Sequence, residues 1–240
     1  MKYLIASLFA LLVQYSFTQN SAFQFWTETG FKYKFNKELD FTAEWTNRFD
    51  AYGLTTSFPQ VSAKYKVLSW LKTSLDYRWI LSKENNGNLS SGNRVNANVI
   101  LNHKHERFDL GFRARYQYSF NRFVSSSYDP EFDVAYRFRP SISYDLNNSI
   151  FVPNASIEFF YTPENGPLGN RFTRIRYQIG VDFETKLPLD LGIAYLYDNK
   201  VNLPNAVDRH VLNLSATYLI KGKDSKKKTG KENSKNPRDL

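Results

Sequence analysis

The chain has no cysteine, one methionine and three histidines among its 240 residues. The first absence excludes a disulfide framework, a thiolate metal site and a cysteine nucleophile. The near-absence of methionine, beside 17% aromatic residues, argues against a helix-rich soluble enzyme built on Leu, Ala and Met. No phosphate-cradling glycine loop and no Gly-x-Ser-x-Gly elbow occurs, and Lys83–Asn93 and Thr162–Arg171 hold only Glu84 and Glu164 as acids, too few for calcium. After the N-terminus no segment offers about 18 consecutive apolar residues, so no membrane-spanning helix is expected.

The N-terminus itself reads as a secretory signal. Lys2 precedes an apolar run from Tyr3 to Val13, and Ser16-Phe17-Thr18 forms a small-residue cleavage pattern before Gln19. The expected organisation is a signal peptide at 1–18, a β-barrel at 19–220 and a basic, disordered tail at 221–240. Net charge is +9, of which the tail carries +5 and Lys2 +1, leaving +3 for the body. Charge held in a tail without apolar residues does not make a nucleic-acid-binding surface. Its simplest role is a solvated segment.

What is abundant is alternation. Phe108, Leu110, Phe112, Ala114, Tyr116, Tyr118 and Phe120 interleave with Asp109, Gly111, Arg113, Arg115, Gln117 and Ser119. A strand sends successive side chains to opposite faces, so one face is apolar and the other charged. The pattern returns over 23–35, 39–50, 58–67, 71–82, 94–104, 107–120, 134–145, 150–161, 172–184, 188–198 and 210–220. Crossing a bilayer takes a tilted strand of about 9–11 residues, which these segments supply. Short connections alternate with longer ones, at Ala51–Ser57, Lys83–Asn93, Asn121–Asp133, Thr162–Arg171 and Asn199–Arg209. Outer-membrane barrels are built this way, with the short turns periplasmic.

The expected fold is therefore all-β, an antiparallel up-and-down transmembrane β-barrel of about 10–12 strands. Bacterial single-chain barrels usually have an even number, and eleven segments stand in conflict with that. Either a short strand goes unseen, or one segment lies outside the wall, residues 39–220 alone giving ten. Leu75, Trp79, Val99, Ile142, Ile179 and Leu214 belong to the face expected to meet lipid. Pro140 and Pro153 each remove a ladder donor and predict a bulge or a break in pairing. A secreted β-sandwich or lipocalin-like barrel shows the same period with its faces reversed.

On the polar face, arginines come in pairs two apart, Arg113/Arg115, Arg137/Arg139 and Arg174/Arg176. They share it with the acids Glu28, Asp40, Glu44, Asp76, Glu158, Asp182 and Glu184. With acids nearly balancing bases, the first reading is a lumen filled by forked Arg–carboxylate bonds. The alternative is a small channel or binding protein for anionic solutes, lined by those six arginines.

The repeats Phe112-Arg113-Ala114-Arg115-Tyr116, Tyr136-Arg137-Phe138-Arg139-Pro140 and Thr173-Arg174-Ile175-Arg176-Tyr177 carry a resemblance. With Trp26 and the strand from Glu44 to Arg48, they make residues 22–220 similar to an uncharacterised, domain-of-unknown-function family of bacterial outer-membrane β-barrel proteins. That resemblance implies an outer-membrane location in a Gram-negative bacterium and a barrel of this size. It implies no activity and no catalytic residue.

Enzymatic readings find little to stand on. A barrel lipase needs a serine and a histidine within hydrogen-bond reach. His103 and His105 have no serine at that offset, and His210 lies five residues from Ser215, on the opposite strand face. His103-x-His105 puts two imidazoles on one face but lacks further ligands for a metal. Expectations are thus no catalytic residue, no metal and no cofactor. The partners expected are outer-membrane lipids and an extracellular ligand at the long loops.

Overall fold

Strands account for all the regular structure of the computed structural model, which describes residues 21–83, 87–120, 133–164, 169, 171–203 and 206–222. They are β1 (Ser21–Lys34), β2 (Leu39–Asp50), β3 (Gly53–Lys66), β4 (Leu71–Lys83), β5 (Leu89–His105), β6 (Phe108–Phe120), β7 (Val134–Tyr144), β8 (Phe151–Tyr161), β9 (Phe172–Phe183), β10 (Leu189–Lys200) and β11 (Asp208–Lys221). The expected signal peptide, nearly all of the basic tail and most of the loop at 121–133 lie outside the described residues.

Each strand pairs with the next in sequence, and β1 pairs with β11 to close the barrel. Every sequential ladder is antiparallel, from β1–β2 through β10–β11. The closing ladder is parallel, running in register from Ser21↔Asp208 to Lys34↔Lys221. This settles the strand count. An odd number of up-and-down strands leaves the first and last pointing the same way, so closure requires one parallel seam. Among the described residues there is no further strand, and the segment at 23–35 is a full member of the wall.

The parallel geometry is slightly weaker per residue than the antiparallel one. Behind one part of this seam the interior is apolar. Trp26 of β1, Ala194 and Leu196 of β10 and Val211 of β11 form a buried cluster, and the Trp26 indole Nε1 donates to Gln24 Oε1 at 3.0 Å.

Two loop expectations need correction. Ala51–Ser57 is not a long loop: β3 starts at Gly53, leaving a turn of Ala51 and Tyr52. There the Asp50 carboxylate accepts from the Tyr52 amide at 2.7 Å, and Gly53 sits at φ +107°, a conformation that favours glycine. β5 likewise reaches back to Leu89, because Ser90 and Leu89 pair with Ser82 and Lys83. Cross-strand hydrogen bonding there outweighs the low strand propensity of an Asn/Ser/Gly-rich stretch.

The prolines act as their chemistry demands. The β7–β8 ladder is interrupted between Phe138↔Phe159 and Ser141↔Ser156, around Pro140, and it ends at Ser143↔Asn154, beside Pro153. Pro59, not singled out from sequence, interrupts β3–β4 between Ser57↔Leu81 and Gln60↔Arg78.

The two faces differ completely. Outward stand Leu75 and Ile179, each 63% exposed, with Val61, Val99, Ile193 and Leu214. Aromatic rings crowd both ends of this aliphatic zone. Towards the short turns Phe31 meets Tyr218, Phe108 meets Tyr144 and Phe151 meets Phe183. Towards the other rim Phe25 meets Phe49, Tyr136 meets Tyr161 and Tyr177 stacks on Tyr197. Inward point the charged and amide side chains, among them Asp76, Asn96, Asn98, Arg137, Glu158 and Asp198, all buried. The apolar face is the outer one.

Candidate functional site: an arginine-lined lumen

The inward phase of the strands builds a cavity of about 420 Å³. Its lining runs from Thr42, Ser62 and Asn102, near the short-turn rim, to Thr56, Ser82 and Thr173, near the opposite rim. All six arginines expected from the paired motifs line it: Arg113, Arg115, Arg137, Arg139, Arg174 and Arg176. So do four of the seven acids expected on the polar face, Glu28, Glu44, Asp76 and Glu158, whereas Asp40 and Glu184 do not. Asp182 also stands apart from this lining, nearer the short-turn rim, where Asn154 Nδ2 donates to it at 3.0 Å.

The balance of charge differs from the expected one. Arg48, Arg78, Arg94, Arg209 and Lys64 join the lining, so eleven cationic side chains face four carboxylates. None of these four arginines belongs to an Arg-x-Arg pair, although Arg48 shares the phase of Glu44 and Arg78 that of Asp76. That shared phase was the available signal. Asp198 and Arg209 went unassigned because one closed an expected strand and the other fell in an expected loop.

Three clusters of bonds hold the wall. Glu158 lies at the centre of the first: Arg137 donates to it through Nε and Nη2 at 3.0 and 2.8 Å, and Arg113 through Nη2 at 2.7 Å. Arg176 approaches the same carboxylate at 3.9 Å. Asp198 anchors the second, accepting from Arg176 Nε and Nη2 at 2.9 and 3.0 Å and from Arg209 Nη2 at 2.8 Å. In the third, Arg115 donates to Asn98 Oδ1 at 2.6 Å and to Asp76 Oδ2 at 3.1 Å. Bidentate pairs of this kind fix the guanidinium plane as well as its position.

Three inward aromatic rings complete the layer. Arg48 packs over Trp26 at 4.0 Å and Arg78 over Phe58 at 4.1 Å, while Arg137 packs over Phe160 at 4.4 Å. A guanidinium stacked by its face keeps its N–H edge free for an acceptor. Rings and carboxylates thus hold a cationic surface in a preformed shape. It suits recognition of oxyanions.

The histidines lie elsewhere. His210 is on the outer face, its Nδ1 2.5 Å from the Tyr195 hydroxyl and its ring stacked on Tyr197, within the aromatic belt. Ser215 points inward and bonds to the Gly192 carbonyl at 3.5 Å. His103 and His105 are exposed at the short-turn end of β5.

The family model described as "Protein of unknown function (DUF2490)" matches residues 23–208. The chain belongs to this family. The match begins within β1 and runs through β10 to the first residue of β11, so it covers nearly the whole wall of the barrel and every lumen arginine except Arg209. No curated protein matches the chain.

Proposed function

We propose that this member of the family is an integral barrel of the outer membrane of a Gram-negative bacterium, and that its lumen admits small anionic solutes. One observation carries the second half of that reading: eleven cationic side chains line a cavity with four carboxylates, and Asp198 behind the lining, bonded to Arg174, Arg176 and Arg209, leaves the cations in excess. Such an excess, held between low-dielectric walls, concentrates anions and repels cations.

The membrane half is supported by the outer surface. From Phe23 to Tyr33 the outward side chains of β1 span about 33 Å along the strand at roughly 3.3 Å per residue. At a tilt of about 40° this becomes a height of about 25 Å, the height of the apolar band in outer-membrane barrels. Aliphatic side chains, with Trp45 and Tyr77 among them, fill the middle, and aromatic pairs stand towards both edges. Closure leaves no unpaired sheet edge, which a hydrocarbon environment demands. The segment at 1–18 has the layout of an export signal.

Fractionation tests the location. The protein should sediment with outer membranes and migrate differently on a gel before and after boiling. Recovery in the soluble periplasm would contradict it. Single-channel recording tests the lumen, with anion-selective conductance steps as the expected result.

A further inference from the structure

Most charged groups around the cavity are bonded, either to one another or to amides. Three are not. The side chains of Arg48, Arg139 and Glu28 make no hydrogen bond or ion pair among the described residues, although all three line the cavity. Arg48 Nε is buried without an acceptor, its guanidinium held between the rings of Trp26 and Phe58 at 4.0 and 5.0 Å. Glu28 lies in the field of Arg78, Arg139, Arg48 and Arg113 and is bonded to none of them.

Glu28 also has a companion. Glu44, on the adjacent strand, is the register partner of Gly30, two residues along from Glu28. A Cβ at position 30 would come within 3.0 Å of Glu44 Cγ, so the missing side chain is what lets Glu44 lie against β1 on the side of Glu28. Among the described residues its carboxylate accepts from Gln60 Nε2 at 3.1 Å. The cavity therefore holds uncommitted charge of both signs.

An unpaired charge taken from water costs several kcal/mol, and a ligand that pairs it recovers that cost. A simple anion would satisfy the arginines while facing the two carboxylates. A solute with carboxylates and an ammonium group answers both. We propose that the solute preferred by this lumen is an anion of the acidic amino-acid type. Arg48 and Arg139 take its carboxylates, and Glu28 with Glu44 takes its ammonium group. This inference rests on the anion-admitting reading above and names the solute class for the same site. A cavity of about 420 Å³ lies in the range of small-molecule pockets.

The test compares L-glutamate with glutarate, which keeps both carboxylates and lacks the ammonium group. Titration calorimetry on the full-length protein in detergent should show glutamate binding at least about tenfold more tightly, the size expected when a ligand leaves a buried polar partner unmatched. Glu28→Gln should abolish that preference while glutarate binds as well as before or better. Arg139→Gln should weaken both ligands. A gel shift on boiling checks that each variant is folded. Equal affinities for the two ligands in the parent protein, or a preference that survives Glu28→Gln, would overturn the inference and leave the anion reading standing. Binding of neither ligand overturns the inference alone if anion-selective conductance persists, and overturns both readings if conductance is also absent.

Discussion

Arg113 and Arg139 stand directly opposite each other across the β6–β7 ladder, and Arg115 and Arg137 form a second such pair two residues along. Like charges directly across a ladder are destabilising, so four arginines in a two-by-two block need counter-charge from elsewhere. Glu158, from β8, supplies it to Arg113 and Arg137, and Asp76, from β4, supplies it to Arg115. The arrangement concentrates positive potential on one wall, with three of the four arginines bonded to carboxylates among the described residues and Arg139 not.

Glu158→Gln should therefore be among the most damaging single changes in the lumen. Glu158 is 2% exposed, and its loss leaves the bonded Arg113 and Arg137 without their carboxylate. Removing one member of a buried ion pair typically costs about 3–5 kcal/mol. Urea unfolding followed by the boiling-sensitive gel band should show that loss. A double variant, Glu158→Gln with Arg137→Gln, should recover part of it.

The parallel seam can be tested by cross-linking. Thr29 and Ala216 are outward register partners on β1 and β11. Because the chain has no cysteine, Thr29→Cys with Ala216→Cys introduces a single thiol pair. Oxidation should cross-link it in the folded protein, visible as a shift on a non-reducing gel. A ten-stranded wall from β2 to β11, with β1 outside it, would leave the pair uncoupled.

The outward face predicts a depth-dependent penalty. Leu75→Arg, at mid-height, should lower stability by about 2–4 kcal/mol in lipid or prevent assembly, whereas the same substitution near a rim costs roughly 0–1 kcal/mol. Ser62→Arg, inside the lumen, should assemble normally. Unfolding from liposomes measures all three. Equal effects at Leu75 and at the rim would argue against a lipid-facing belt.

Much of the barrel was legible from period two alone. The strand from Phe108 to Phe120 and its neighbours announced both faces, and Pro140 announced the interrupted ladder beside it. Which face points outward was not legible, since alternation is the same in an inside-out barrel and a soluble one. Loop bounds were missed where pairing overrode local composition, as at Gly53 and Leu89. Of the site, the Arg-x-Arg pairs were legible because their spacing is internal to one strand. Arg48 and Arg78 stand alone, outside any such pair, and only the phase they share with Glu44 and Asp76 points inward, while Arg209 falls in a segment whose composition reads as a loop. The excess of positive charge depended on closure of the wall, which brings strands distant in sequence around one cavity.

The claim at the centre of this account is a cationic lumen that admits anions across a bilayer. The reversal potential of the purified protein in a planar bilayer, measured across a KCl gradient, tests it most directly. The predicted result is stepwise conductance reversing towards the chloride equilibrium potential, with the shift reduced in Arg48→Gln and Arg139→Gln. Reversal towards the potassium potential, or no conductance at any voltage, would contradict it.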